Sequence, residues 1–326
     1  MWKIGNIDID GVVVLGPMAG ITSYGYRDFM KPFGVAVSVS EMVSDMGLIY
    51  DNDKTNEYVI YPESHPVGVQ LFGHEPENIV KAAKIALKLN PNIDFFDINM
   101  GCPVPKVTNS GAGSSLLKEP KLCGEIIRQL KKEISIPITA KIRLGWDSNS
   151  INFLDVIKEL ESAGVDMIAI HARTRKQLYM GEPDFELLRD LKSKMSVPLV
   201  VSGNIYTLDD AIKAKEITGA DGIMVARGGI GNPWLVKQID HYFKTGERLE
   251  NTDILTQIDY CLSLADYLIK EKGEEVAMRV YRGIAPRFFS GFRNVKVFKS
   301  RLSMELTNRQ SLVNILEDIK KEITEQ

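Results

Sequence analysis

Eight short apolar runs, each separated from the next by an amphipathic stretch, constrain this chain more than any other feature. They are Val12 to Leu15, Val35 to Ser40, Val67 to Leu71, Phe95 to Asn99, Ile138 to Lys141, Met167 to His171, Leu199 to Ser202 and Gly222 to Val225. Between them, Glu77 to Leu89, Lys121 to Glu133, Asn152 to Ala163 and Asp209 to Thr218 place apolar residues three and four apart, the spacing of a helix with one buried face. Ala163-Gly164 and Thr218-Gly219 read as helix stops. Eight strands alternating with helices over about 245 residues match the count and length of an α/β fold of one kind, a (β/α)8 TIM barrel. A doubly wound sheet would carry a GxGxxG turn after its first strand, where this chain reads GPMAG. From about Leu249 the strand pattern stops, and Ile254 to Glu271, Glu274 to Ile284, Val295 to Leu306 and Ser311 to Ile323 read as helices. The expectation is a barrel over 1–245 and a small all-helical domain over 246–326.

With 326 residues, 44% of them apolar and 25% charged, the chain has the composition of an ordinary soluble protein and is long enough for a full core. Its net charge of -3 conceals an uneven distribution. Between Val276 and Arg309 stand Arg279, Arg282, Arg287, Arg293, Lys296, Lys299, Arg301 and Arg309 against the single acid Glu305. A basic block on an otherwise acidic chain suits a polyanionic partner, although solvated charged faces are the commoner case. Cys102, Cys123 and Cys261 lie far apart, without the spacing of a disulfide framework or a zinc site, so no metal is expected. No leader and no apolar run long enough for a bilayer is found. A cytoplasmic, reduced monomer is expected.

The carboxyl ends of barrel strands converge on one face, where chemistry is built. Here they read Pro17-Met18-Ala19-Gly20, Glu41, Gln70, Asn99 with Cys102, Lys141 with Arg143, His171 with Arg173, Ser202-Gly203-Asn204 and Ala226-Arg227-Gly228-Gly229. In Ile93 to Val107, IDFFDINMGCPVPKV, an apolar strand ends at Asn99 and Gly101 and Pro103 hold Cys102 on a turn. A free cysteine is more often a small buried apolar residue, and a single His is more often structural, as His65, His74 and His241 are taken to be. Eight polar or glycine-rich strand ends together favour a site. The last two, with Gly203, Arg227 and Gly228, suit a phosphate, Gln70 suits a ring edge, and Lys141 suits developing negative charge. The whole fits a phosphorylated cofactor with a planar head.

PMAGIT at Pro17 to Thr22, SEM at Ser40 to Met42, DINMGCPVPKV at Asp97 to Val107, GAGSSLL at Gly111 to Leu117, KIRLGW at Lys141 to Trp146 and HARTR at His171 to Arg175 resemble the tRNA-dihydrouridine synthases, most of all their bacterial B-type branch. The resemblance implies a barrel that binds FMN, takes electrons from NADPH or NADH and reduces the C5=C6 bond of particular uridines in tRNA. It further implies that Pro17, Met18 and Ala19 line the flavin, that Gln70 bonds its ring and that Lys141 neutralises its reduced form. His171, Ser202, Gly203, Asn204, Ala226 and Arg227 would surround ring and phosphate. Two turns depart from the family pattern: Ser202-Gly203-Asn204 stands where Asn-Gly-Asp is usual, and Ala226-Arg227 where Gly-Arg is usual.

A hydride delivered to uracil C6 leaves C5 in need of a proton, and a thiol that is protonated at neutral pH can supply it, so Cys102 is the expected general acid. Asn99 and Arg143, beside it in strand order, are expected to grip the uracil edge. A uridine in folded tRNA must leave its stack to reach a barrel mouth, which calls for a grip on the surrounding backbone. Arg279, Arg282 and Arg287, with the aromatics Tyr281, Phe288, Phe289, Phe292 and Phe298, are the candidates, aided by Lys106, Arg173, Arg175 and Lys176 on the rim; those aromatics could equally be domain core. Two other functions fit parts of the pattern: a flavin barrel acting on a small pyrimidine, which has no use for the basic tail, and a noncatalytic RNA-binding barrel, which has no use for Cys102 and Lys141.

Overall fold

The computed structural model describes residues 1–60, 65–292 and 295–324; Arg293, counted in the basic block, lies outside them. The chain opens with a hairpin, β1 (Trp2–Ile4) and β2 (Ile7–Ile9). Its two-residue turn begins at Gly5, whose φ of +57° favours glycine. Eight parallel strands follow: β3 (Val13–Leu15), β4 (Val35–Ser44), β5 (Val67–Phe72), β6 (Phe95–Asn99), β7 (Ile138–Arg143), β8 (Met167–His171), β9 (Leu199–Ser202) and β10 (Gly222–Val225). They close into a barrel with β10 paired to β3. All eight expected strands are present. β4 runs to Ser44 rather than Ser40 because its register shifts between Val39 and Met42, where the Ser40 hydroxyl accepts the Gln70 backbone N–H at 3.0 Å in place of a ladder carbonyl.

Strand alternation divides the core. Val14, Phe95, Met167, Ala169, Val200 and Met224 point into the barrel, where Ile4 and Ile9 of the hairpin close its floor. Phe96, Ile98, Ile138, Ile142, Ile168 and Val201 point outward against the helices Pro76–Leu89, Pro120–Glu133, Phe153–Ser162 and Leu208–Thr218. Ile4 and Ile9 are fully buried, each worth about 1.5–3 kcal/mol. Gly68 faces inward beside Phe95, and a Cβ there would lie 2.2 Å from the phenyl ring. Above this apolar floor the same inward parity brings up Gln70, Asp97, Asn99, Thr139, Lys141, His171 and Ser202, in register as Gln70 with Asp97, Asn99 with Lys141 and His171 with Ser202.

The helix Pro233–Thr245 ends at Gly246, φ +79°. Asp253 then caps the helix Ile254–Lys272 by accepting the Thr256 N–H at 2.7 Å. Helices Glu274–Tyr281, Lys296–Met304 and Arg309–Thr324 complete the tail. It docks on the helix Tyr24–Met30 that follows β3, with Phe29 edge-on to Tyr267 at 6.0 Å and Phe33 to Tyr260 at 5.0 Å. Tyr281, Phe288 and Phe289 are buried, and Phe292 and Phe298 pack against the same core, so these aromatics are packing groups and not stacking surfaces.

Three arginines of the basic block are neutralised by acids: Arg279 by Glu275, Arg301 by Glu305 and Asp318, and Arg309 by Asp266. Glu275, Asp318 and Asp266 lie outside the counted window, so the charge excess is smaller in space than along the chain. Lys296 and Lys299 form no ion pair among the described residues.

Candidate active site

A cavity of about 450 Å³ opens at the carboxyl ends of the strands. It is lined by Pro17, Met18, Ala19, Gln70, Asn99, Cys102, Lys141, Arg143, His171, Ser202, Gly203, Asn204, Ala226 and Arg227. Every expected cofactor residue therefore reaches one space, as do the expected acid and two of the expected substrate residues. Of the remaining four, Arg287 reaches the same cavity from the helical tail. Arg279 is exposed and paired with Glu275, Arg282 donates to the Leu306 carbonyl at 2.7 Å, and Arg173 is fully buried beside His171.

The floor of the cavity is a fixed chain of hydrogen bonds. Asp97, 1% exposed, accepts from Thr139 Oγ1 at 2.6 Å and from Gln70 Nε2 at 2.6 Å. Burial holds its carboxyl above the usual range, against the pull of those two donors and Lys141. Because a carboxylate only accepts, Gln70 must turn its amide nitrogen to Asp97 and its oxygen to Asn99 Nδ2, 2.8 Å away. Asn99 Oδ1 in turn accepts the backbone N–H groups of Gly101 and Cys102, at 3.1 and 2.8 Å. The side chain that ends the strand thus sets the turn that carries the thiol. Asp97 was passed over in the sequence, where a charged residue at inward parity between two phenylalanines and an isoleucine was the available signal.

Cys102 is 8% exposed. Burial raises its thiol pKa, opposed by the Val104 N–H, Arg143 and Lys141, so Cys102 stays protonated through neutral pH. Lys141 is lowered to about 8 by burial and by Arg143. Its ammonium finds no hydrogen-bond acceptor among the described residues and stands in the cavity beside Asn99. His171 is buried, and Arg143, Lys141, Arg173 and Arg227 add to the burial in pushing its pKa well below the ordinary value, so it is neutral. Arg173 Nη1, which can only donate, lies 3.2 Å from His171 Nε2, which places the imidazole proton on Nδ1.

Two buried arginines strap the loop after β8. Arg143 donates from Nε to the Gly101 carbonyl at 2.8 Å and from Nη1 to the carbonyls of Thr174 and Leu178 at 2.9 and 2.8 Å. Arg173 holds the carbonyls of Met180 and Gly181. The strapped loop presents Tyr179 at the cavity, with Arg143 5.5 Å and Arg227 4.9 Å from its ring. Tyr179 and Tyr206 at this mouth were not foreseen, since loop aromatics carry no periodic signal.

The residues fit a phosphorylated planar cofactor. Gly203 has φ +143° and Asn204 φ +46°, and their backbone N–H groups donate to nothing among the described residues. With the Arg227 guanidinium 3.3 Å from Asn204 Oδ1 they form an anion cradle. A Cβ on Gly228 would lie 1.9 Å from the Ile205 carbonyl, so that turn closes only with glycine. Among the described residues no cluster of His, Cys, Asp or Glu is arranged to hold a metal.

Residues 13–324 match the family described as dihydrouridine synthase. The chain belongs to the dihydrouridine synthase family. It is 36% identical over 306 residues to a probable tRNA-dihydrouridine synthase of Rickettsia conorii, covering 93% of this chain and 92% of that one. It is 33% identical over 302 residues to the tRNA-dihydrouridine synthase B of Pseudomonas aeruginosa, covering 92% and 90%. Among solved structures, a 2-naphthoyl-CoA reductase complex superposes with a TM-score of 0.55 at 13% identity, over 73% of this chain and 51% of that one. That likeness is one of fold. The barrel expected from the strand count and the family expected from the motifs are both found.

Proposed function

We propose that this chain reduces the C5=C6 bond of uridines in tRNA to dihydrouridine, with FMN held in the barrel mouth and NADPH or NADH as reductant. The observation that carries the reading is the placement of Cys102, a thiol kept protonated by burial, on the same cavity as the unpaired Lys141 ammonium and the free amides of Gly203 and Asn204. Arg227 and those amides would hold the phosphate, Pro17, Met18 and Ala19 would face the ring, and the second N–H of Gln70 Nε2 would meet its edge. Ser202, Ala226 and the Nδ1–H of His171 complete that wall. When bound, FMN supplies the hydride that reaches uracil C6. Cys102 Sγ gives its proton to C5 and regains one from water. Lys141 and the Arg143 guanidinium lower the energy of the charge that develops on the uracil carbonyls, while Asn99 keeps the thiol in reach.

The substrate enters as a nucleotide turned out of its stack, because the cavity is too small for a duplex. Arg287 extends the site toward the helical tail over 246–326, which we assign to tRNA binding together with Lys296 and Lys299. No described helix is long and apolar enough to cross a membrane; the proposed setting is a cytoplasmic monomer. The test is anaerobic: reduce the bound flavin with light, add unmodified tRNA, and follow the visible spectrum. Reoxidation by tRNA is expected. Stable reduced flavin in its presence, with reoxidation by free dihydropyrimidine precursors, would assign the barrel to a small molecule.

A further inference from the structure

A second basic surface lies on the barrel rim, away from the cavity and the tail. Trp146, just after β7, has the Lys118 ammonium 3.5 Å and the Arg175 guanidinium 4.5 Å from the centre of its ring. Lys118 ends the short 3-10 segment Gly113–Lys118 after β6, and Arg175 follows β8, so three neighbouring strands deliver the cluster to the mouth side of the barrel. Arg175 also reaches Thr108 Oγ1 at 3.5 Å, and Lys106 stands exposed on the same helical turn as Thr108. Lys106, Lys118 and Arg175 form no ion pair among the described residues, and Arg175 Nε is buried without a partner. The nearby acids are Asp147, taken by Lys176, and exposed Glu119.

Two cations on one indole, with no carboxylate between them, leave a fixed positive surface. The ring orders both side chains in advance, which lowers the entropy lost when an anion binds. Position gives the anion its identity. In the closed ring of strands β7 stands four places from β3 by either route, and the helical tail docks on the helix that follows β3. The Trp146 rim is therefore diametrically across the mouth from the tail. A nucleotide turned into the cavity leaves its backbone entering on one side of the mouth and departing on the other.

We infer that the Lys106, Lys118, Trp146 and Arg175 rim is a second phosphate-backbone contact, gripping the tRNA strand on the flank of the reacting nucleotide opposite to the helical tail. The inference rests on the proposed tRNA substrate. It is tested by binding unmodified tRNA to the flavin-loaded protein at several salt concentrations, comparing the pair Lys118→Ala and Arg175→Ala with a control pair of equal charge on the outer helices, Lys81→Ala and Lys132→Ala. Each pair is compared at equal flavin content, and Lys118→Gln with Arg175→Gln replaces the first pair should it fail to retain flavin. The rim pair is expected to weaken binding roughly tenfold or more and to reduce the slope of log affinity against log salt by about 1.5, two contacts' worth. Affinity and slope equal to those of the control pair would overturn the rim contact while leaving the tRNA reading in place. A wild-type protein that does not bind tRNA would overturn the tRNA reading itself.

Discussion

At the scale of single residues, the site works by withholding solvent from Asp97, Cys102, Lys141 and His171. Cys102 is kept protonated by burial, so Cys102→Ala should leave nicotinamide-driven flavin reduction intact and slow uridine reduction by roughly 10² or more; stopped-flow traces of the two half-reactions separate these outcomes. Lys141 shows the opposite pull. Its folded pKa of about 8 lies below the value of about 10.4 for an exposed lysine, so the unfolded chain binds more protons between those limits. Below pH 8 the buried charge costs stability, and that cost is relieved as pH rises from about 8 to about 10.4. The flavin-free protein with Lys141→Met should therefore melt higher than wild type at neutral pH, with the difference shrinking over that alkaline window, while losing turnover. Calorimetry across pH 7 to 10 decides it. The motifs made Cys102 and Lys141 legible. Asp97 was not, because its role is to orient Gln70, and an orienting carboxylate is visible only once strand register is known.

At the scale of elements, the loop after β8 is shaped by arginines from two neighbouring strand ends. Arg143 serves three carbonyls with the fixed fork of its guanidinium. A lysine keeps the charge but cannot span them, so Arg143→Lys should release Tyr179 from the cavity wall. We expect turnover on tRNA to fall at least roughly tenfold, with faster proteolysis at residues 175–181, because a freed loop opens locally. Unchanged cleavage and unchanged turnover would mean that the strap carries nothing. Arg143 read from the sequence as a substrate contact, and the geometry gives it this second duty, its fork turned to three backbone carbonyls and to the Tyr179 side chain. Arg173, read as a rim cation, is an internal support. Spacing showed that both arginines belong at strand ends, but not which way a guanidinium turns when backbone carbonyls compete for it.

At the scale of the whole molecule, one carboxylate adds a polar tie between the helical tail and the segment after β3, beside the aromatic contacts. Glu271 Oε2 accepts from Ser23 Oγ at 2.6 Å and from the Gly25 N–H at 3.1 Å, and Glu41 of β4 accepts the Gly20 N–H a few residues earlier. The intervening segment Pro17, Met18 and Ala19 lines the cavity. Glu271→Ala leaves a hydroxyl and an amide without acceptors and should cost about 1–3 kcal/mol. Its effect on tRNA turnover should exceed its effect on flavin reduction, because the tail loses its seat; equal effects would make Glu271 a stability residue alone. The sequence by itself determined the barrel, its eight strands, seven of them to within two residues at each end, the helical tail and the family. Those follow from alternation, helical periodicity and contiguous motifs, which are local in the chain. It overlooked the hairpin, whose Gly5-Asn6 turn was there to be read, because three-residue strands are too short for periodicity to register. Tertiary structure alone decided which of the described basic residues remain unpaired, that the aromatics are core, and that the Trp146 rim stands across the mouth from the tail. Ion pairs such as Arg309 with Asp266 and the stacking of Lys118 and Arg175 on one ring join residues distant in sequence. Helix packing within the tail joins the first pair, and barrel closure brings the other three together.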